Sequence, residues 1–165
     1  MDSQVIDTDG GMRVLVRPAR EGDQGYVLST WAQYLCSARD VCSGGHARKG
    51  AVGNQRMACH GSRQIVDRFV DHPAVKVVVA SDPSSSDDLL GWLAFTDTKA
   101  AKVIHGVYVR LRYRDRKVAR AMMQGAGLHD ARPTLYTLPG PCSKSLLNKP
   151  QYQNATLMRA EEFLT

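Results

Sequence analysis

The stretch that most constrains this chain is Lys102 to Gln124, where a strand gives way to a helix across a basic connection. Lys102 to Arg110 carries Val103, Ile104, Val107 and Val109, the branched side chains that pack well on a pleated surface. A helix is predicted over about Arg116 to Gln124. Arg112, Arg114, Arg116, Lys117 and Arg120 surround its start with cations. The first N–H groups of a helix have no partner within it, and the helix dipole adds positive potential at the same point. A pyrophosphate is the natural ligand for such an arrangement.

The rest of the chain reads as one domain built around that unit. Residues 1–12, with Asp2, Asp7, Asp9 and a glycine pair, read as a flexible N-terminus, and 13–165 as the domain. Arg13 to Arg17 is a short strand stopped by Pro18. Glu21 and Asp23 then suit a helix start, and Val27, Leu28, Trp31 and Tyr34 or Leu35 recur at helical spacing. Positions 36–61 form a glycine-rich basic loop, and Ser62 can cap a second helix with Ile65, Val66, Phe69 and Val70 on its apolar face. Ala74–Ala80 and Leu89–Phe95 are predicted as an antiparallel hairpin across the turn residues of Asp82–Asp88. A strand over Thr134–Leu138, a short helix over Ser143–Asn148 and a last strand near Ala155–Phe163 complete the reading. Helices first, then a meander, then alternation define an α/β class with a mixed sheet (α+β in arrangement).

With 43% hydrophobic and 23% charged residues, the chain has the balance of a folded protein, and its net charge of +6 favours an acidic partner. Met1 to Gly11 is polar and acidic, no apolar run is long enough to span a bilayer, and the four cysteines read as reduced thiols. These features together predict a cytoplasmic protein with no membrane partner. Cys36, Cys42, His46, Cys59 and His60 lack the compact spacing of a tetrahedral site, so no metal is expected. There is no Walker loop and no Ser/His/Asp nucleophile motif. Aromatic residues are not interleaved with the basic ones as single-strand nucleic-acid platforms require.

Arg114-x-x-Lys117-x-Ala119 resembles the acetyl-CoA-binding motif of the GNAT superfamily, Gln/Arg-x-x-Gly-x-Gly/Ala. Tyr113 and Val109 stand where that family has an aromatic residue and a strand-end valine. His105-Gly-Val-Tyr-Val109 is similar to the His-x-x-Tyr-Val-Lys pattern of small bacteriophage-encoded members. Val16-Arg-Pro-Ala19 with Asp23 and Trp31 resembles the family's first strand and helix, and Leu90-Gly-Trp-Leu93 its third-strand entry; the likeness spans about Arg13 to Leu147. The departures are Lys117 and Asp115, both at positions where glycine is common; a helical conformation is expected at Lys117.

The resemblance implies a GNAT-like fold, a mostly antiparallel sheet flanked by helices, and direct transfer of acetyl from acetyl-CoA to a primary amine. The acceptor is expected to be a protein, with the enzyme a monomer or homodimer in the cytoplasm, that of the host if phage-encoded. Cofactor binding falls to Val107, Tyr108, Val109, Arg114, Asp115, Arg116, Lys117, Val118, Ala119 and Arg120. A main-chain N–H near Val109 would meet the developing oxyanion. His105 is the candidate base, placed by strict strand alternation on one face with Val103, Val107 and Val109. The family's usual tyrosine acid has no counterpart in Ser143–Asn148, which leaves Tyr136 as the candidate acid and Tyr152 as its alternate. The competing reading is a catalytically degenerate GNAT-fold protein that acts by occupying a host partner.

Overall fold

The computed structural model describes residues 1–42, 66–67, 70–98, 101–128, 134–136 and 152–154. Among the described residues, seven strands lie side by side in chain order in one sheet: β1 (Gln4–Asp7), β2 (Arg13–Pro18), β3 (Val75–Asp82), β4 (Ser85–Asp97), β5 (Lys102–Val109), β6 (Thr134–Tyr136) and β7 (Tyr152–Asn154). Pairing is antiparallel from β1 through β5 and parallel from β5 through β7. Among the described residues, helices α1 (Gln24–Cys42) and α2 (Val118–Gly125) accompany the sheet. The α/β class with a mixed sheet is the one the element order predicted, and the mostly antiparallel pairing is what the resemblance implied.

The two faces of the sheet carry separate cores. On the α2 side, Val14, Val16, Leu90, Leu93, Phe95, Ile104, Val107 and Val109 pack with Val118, Ala121 and Met122. On the α1 side, Val27 and Trp31 pack with Val79, Trp92, Ala94 and Val66. Alternation along β4 divides Leu93 and Phe95 from Trp92 and Ala94, so one strand supplies both layers.

An ion pair fixes the entry into α1. Arg17, 1% exposed, donates to both carboxylate oxygens of Asp23 at 2.6 and 3.1 Å and to the Ser86 carbonyl at 2.9 Å. Asp23 also accepts from the Arg20 backbone N–H at 2.7 Å, closing the 3-10 turn Glu21–Asp23 ahead of the helix. Burial pushes the Asp23 carboxyl up, but the hydrogen bonds and charge of Arg17 and Arg20 hold it below its ordinary value.

Several expectations from sequence change. The segment 1–12 is not a loose end: Gln4–Asp7 pairs with Arg13–Val16 as an edge strand. The turn between them is closed by Thr8 N–H to the Met12 carbonyl and Gly11 N–H to the Thr8 carbonyl, both 2.9 Å, with Gly11 at φ 71°. Short strands are held by cross-strand partners that a local pattern does not reveal. The loop assigned to 36–61 begins in helix, since α1 continues to Cys42. The hairpin turn narrows from Asp82–Asp88 to Pro83–Ser84, with Asp82 accepting from the Ser84 N–H at 2.8 Å and bulges absorbing the extra β4 residues. Of the expected second helix, Val66, Asp67 and Val70 are helical. The helix placed at 143–148 and the strand at 155–163 lie outside the described residues, and β7 is a strand not foreseen. No described helix is long and apolar enough to cross a membrane.

Candidate functional site

The site begins with the direction of the backbone along β5. Gly91 pairs with Val109, and the Arg110 N–H donates to the Leu90 carbonyl at 2.9 Å. In an antiparallel ladder, hydrogen-bonded and non-bonded pairs alternate. Arg110 and Tyr108 therefore face β4, while the N–H and C=O groups of Val107 and Val109 point the other way, toward the β6 side. The described β5–β6 ladder covers Lys102–Ile104, so Val107 and Val109 lie beyond it.

The chain then turns through Leu111–Tyr113 into the basic loop. The Arg114 side chain folds back, its Nε donating to the Val109 carbonyl at 3.2 Å. Asp115 and Lys117 both sit in the left-handed region, at φ 66° and 62°, a conformation that favours glycine by about 1 kcal/mol or more over other residues. Lys117 is thus not helical as expected. It holds a backbone shape that favours glycine, and it caps α2, which starts at Val118 rather than Arg116. The first helical bond runs from the Ala121 N–H to the Lys117 carbonyl. The N–H groups of Val118, Ala119 and Arg120 accordingly precede any partner within the helix. Arg112, Arg114, Arg116, Lys117 and Arg120 are exposed around this point. Val118 is buried against the α2-side core. Two carboxylates share the neighbourhood: Asp115 itself and Asp9, which pairs with Arg120 at 2.8 Å. The donor set, main-chain amides ringed by guanidinium groups, fits a diphosphate.

His105 occupies a bulge. Ala94 pairs with Gly106 and Phe95 with Ile104, so His105 is the extra residue on β5. The bulge breaks the alternation assumed from sequence. Val107 and Val109 join Ile104 in the α2-side core, whereas His105 stays with Val103 on the opposite face, where its Nε2 meets Thr96 Oγ1 at 2.7 Å. The imidazole is 1% exposed, and burial lowers its pKa to about 4. Tyr136 pairs with Ile104 through the parallel ladder, which places its backbone one residue from His105. Tyr152 pairs with Thr134 on β7, one strand further out.

Tyr108 departs from the cofactor-loop residues. Its ring lies on the α1 side, stacked with Trp92 (centroids 6.2 Å apart) and edge-on to Tyr26 (6.3 Å). Arg110 sits over the Tyr26 ring, 5.0 Å from its centroid, and donates to Tyr26 Oη at 3.3 Å and to Asp88 at 2.9 Å. Burial raises the Tyr26 hydroxyl above its ordinary value against the opposing pull of Arg110. Sequence reading missed Tyr26, Asp88 and Arg110 as neighbours of the strand end, and Thr96 as the partner of His105. Arg110 had a signal, since it stands at the lysine position of the His-x-x-Tyr-Val-Lys pattern. The others are joined to the site by long-range pairing and had none.

The mixed sheet, whose fifth strand feeds a basic loop and a helix, has a GNAT-like fold, and solved structures agree. The protein is similar to YycN of Bacillus subtilis, described as an acetyltransferase, with TM-score 0.55 and 14% identity over 81% of this chain and 86% of that one. It is also similar to a Pyrococcus furiosus protein described as an acetyl transferase, with TM-score 0.51 and 13% identity over 83% and 91%. At such identities the likeness is one of fold. No family model matches the sequence, and no curated protein resembles it significantly.

Proposed function

We propose that this protein is a GNAT-type N-acetyltransferase that moves acetyl from acetyl-CoA to a primary amine on a protein or another macromolecule. One observation carries the reading: Asp115 and Lys117 adopt the left-handed backbone that turns the loop into α2. That turn follows directly on a strand whose Val107 and Val109 amides face away from β4. Together they offer a diphosphate grip and, one strand-end away, a hydrogen-bond donor for a carbonyl oxygen.

Acetyl-CoA, when bound, supplies an acetyl group activated as a thioester. Residues of the loop, from Arg114 to Arg120, hold its diphosphate. The Val109 N–H donates to the carbonyl oxygen as charge grows there. As the amine nitrogen bonds to the carbonyl carbon and the carbon–sulfur bond breaks, His105 takes the proton the amine gives up, directly or through water. Burial keeps His105 neutral at pH 7, the form that accepts a proton, although it also weakens the base. Tyr136 returns a proton to the departing thiolate. The His105–Arg110 pattern supports a phage-encoded protein acting in the cytoplasm of its host.

The test joins calorimetry with coenzyme A to a thiol-release assay on acetyl-CoA with peptide and small amines. Saturable binding and amine-dependent thiol release are expected, with His105→Ala and Tyr136→Phe each slowing release by about 100-fold. Unchanged rates in both variants would remove those roles. Absence of coenzyme A binding at millimolar concentration overturns the whole reading. A second reading is favoured by the buried His105, engaged by Thr96, and by the two non-glycine residues of the loop: a binding protein on the same fold, without turnover. Coenzyme A binding with no thiol release on any amine identifies that case.

A further inference from the structure

The β1–β2 turn lies against the loop assigned above to the diphosphate. A Cβ built on Gly10 would stand 3.1 Å from the Cα, C and O atoms of Arg116. Arg116 is the residue between the two left-handed positions. Next to Gly10, Asp9 pairs with Arg120 in the first turn of α2. The same hairpin holds the far end of the helix. Gln4 Nε2 donates to the Gly125 carbonyl at 3.0 Å, and a Cβ at Gly125 would come within 2.7 Å of Val16 Cγ1.

The two adjacent glycines of the turn serve different needs. Gly11 has φ 71° and nothing within 4 Å of its would-be Cβ, so it serves backbone conformation and no contact. Gly10 lies outside the positive-φ region that disfavours a side chain. Its lack of a side chain matters for the contact alone, because backbone atoms, unlike a flexible side-chain end, cannot swing away. An added methyl group displaces the Arg116 peptide by a few tenths of an ångström, and a larger side chain displaces it further.

We infer that Gly10 is a positioning residue for diphosphate binding, seating the β1–β2 turn against the Arg116 backbone so that the loop keeps its anion-receiving shape. The inference rests on the proposed acetyl-CoA site. Its test uses the full chain as wild type, G10A, G10V and G11N. Coenzyme A affinity is measured by calorimetry, and the Asp115–Arg120 amides of the ligand-free protein are followed by NMR. The expected result is a dissociation constant raised about tenfold or more by G10V and less by G10A, since a misplacement of about 1 Å in a preorganised site can cost about 100-fold. G11N, with a residue that tolerates the left-handed region, should stay close to wild type. The Asp115–Arg120 amides should move in G10V while amides far from the turn keep their positions, which a general loss of stability would not produce. Wild-type binding that G10V leaves unaltered overturns this inference alone. No binding by wild type overturns it together with the proposed function.

Discussion

Lys117 and Asp115 show why residue identity and backbone conformation have to be read separately. Both stand where the motif that this loop resembles favours glycine, and both take the left-handed conformation that glycine would take. Lys117→Gly is therefore expected to leave coenzyme A affinity within about threefold and stability within about 1 kcal/mol, since relief of strain offsets the added freedom of the unfolded chain. Lys117→Pro, with φ fixed near −65°, should abolish binding. Equal binding by the proline variant would show that the loop conformation is irrelevant to the ligand. His105 makes a second prediction. In the unfolded chain it takes up a proton at about its ordinary 6.5, whereas in the fold it does so only at about 4. Between those values the unfolded state binds more protons, so stability falls as pH drops from 6.5 toward 4, by up to about 1.4 kcal/mol per unit. His105→Gln removes this dependence. Denaturant titrations of both proteins should give a difference that is flat above pH 7 and changes steadily below 6. A constant difference throughout would mean that the imidazole titrates normally.

At the scale of elements, what could be read from sequence was what local pattern carries. Valine-rich β3, the proline-stopped β2 and the strand-to-helix passage from Val109 to Val118 follow from residues adjacent in the chain. The His105 bulge does not, because it exists only in the register of β5 against β4, where Phe95 pairs with Ile104 and Ala94 with Gly106. Its consequence is large: it sends His105 and Val107 to opposite faces of the sheet. The edge strand β1 escaped for the same reason, since its polar residues are ordered by pairing with β2 rather than by their own propensity. The tie between elements most open to measurement is Arg17, on β2, bonded to Asp23 ahead of α1 and to the Ser86 carbonyl on β4. Asp23→Asn leaves a buried guanidinium without its counter-charge and should cost about 3 kcal/mol, at an unchanged denaturant m-value. The double change R17M/D23L should cost less than the single one. A loss under about 1 kcal/mol in Asp23→Asn would show that the two carbonyl acceptors of Arg17, on Pro18 and Ser86, suffice to hold it.

At the scale of the whole molecule, the candidate site joins distant parts of the chain. The loop is tied to β5 through Arg114 and the Val109 carbonyl. It meets the β1–β2 turn through Gly10, and it leads into a helix packed on the sheet core. The cations of this site were visible in the sequence, because they fall in one short run. Tyr26 and Asp88 beside it were not, because α1 and β4 bring them from distant parts of the chain. A ligand held there should stabilise the entire fold rather than one segment. Binding to the folded state alone at about 100 times the dissociation constant adds about 2.7 kcal/mol. In a chain of this length that corresponds to a melting temperature higher by about 5–10 °C. The net charge of +6 supplies a rival cause, since any anion relieves self-repulsion in a basic protein. Sulfate at matched ionic strength separates the two, because it screens charge without spanning the loop and the strand end. Coenzyme A should raise the melting temperature well beyond sulfate, and Lys117→Pro should reduce its effect to that of sulfate. Equal shifts from sulfate and coenzyme A in the wild-type protein would reduce the site to a basic surface.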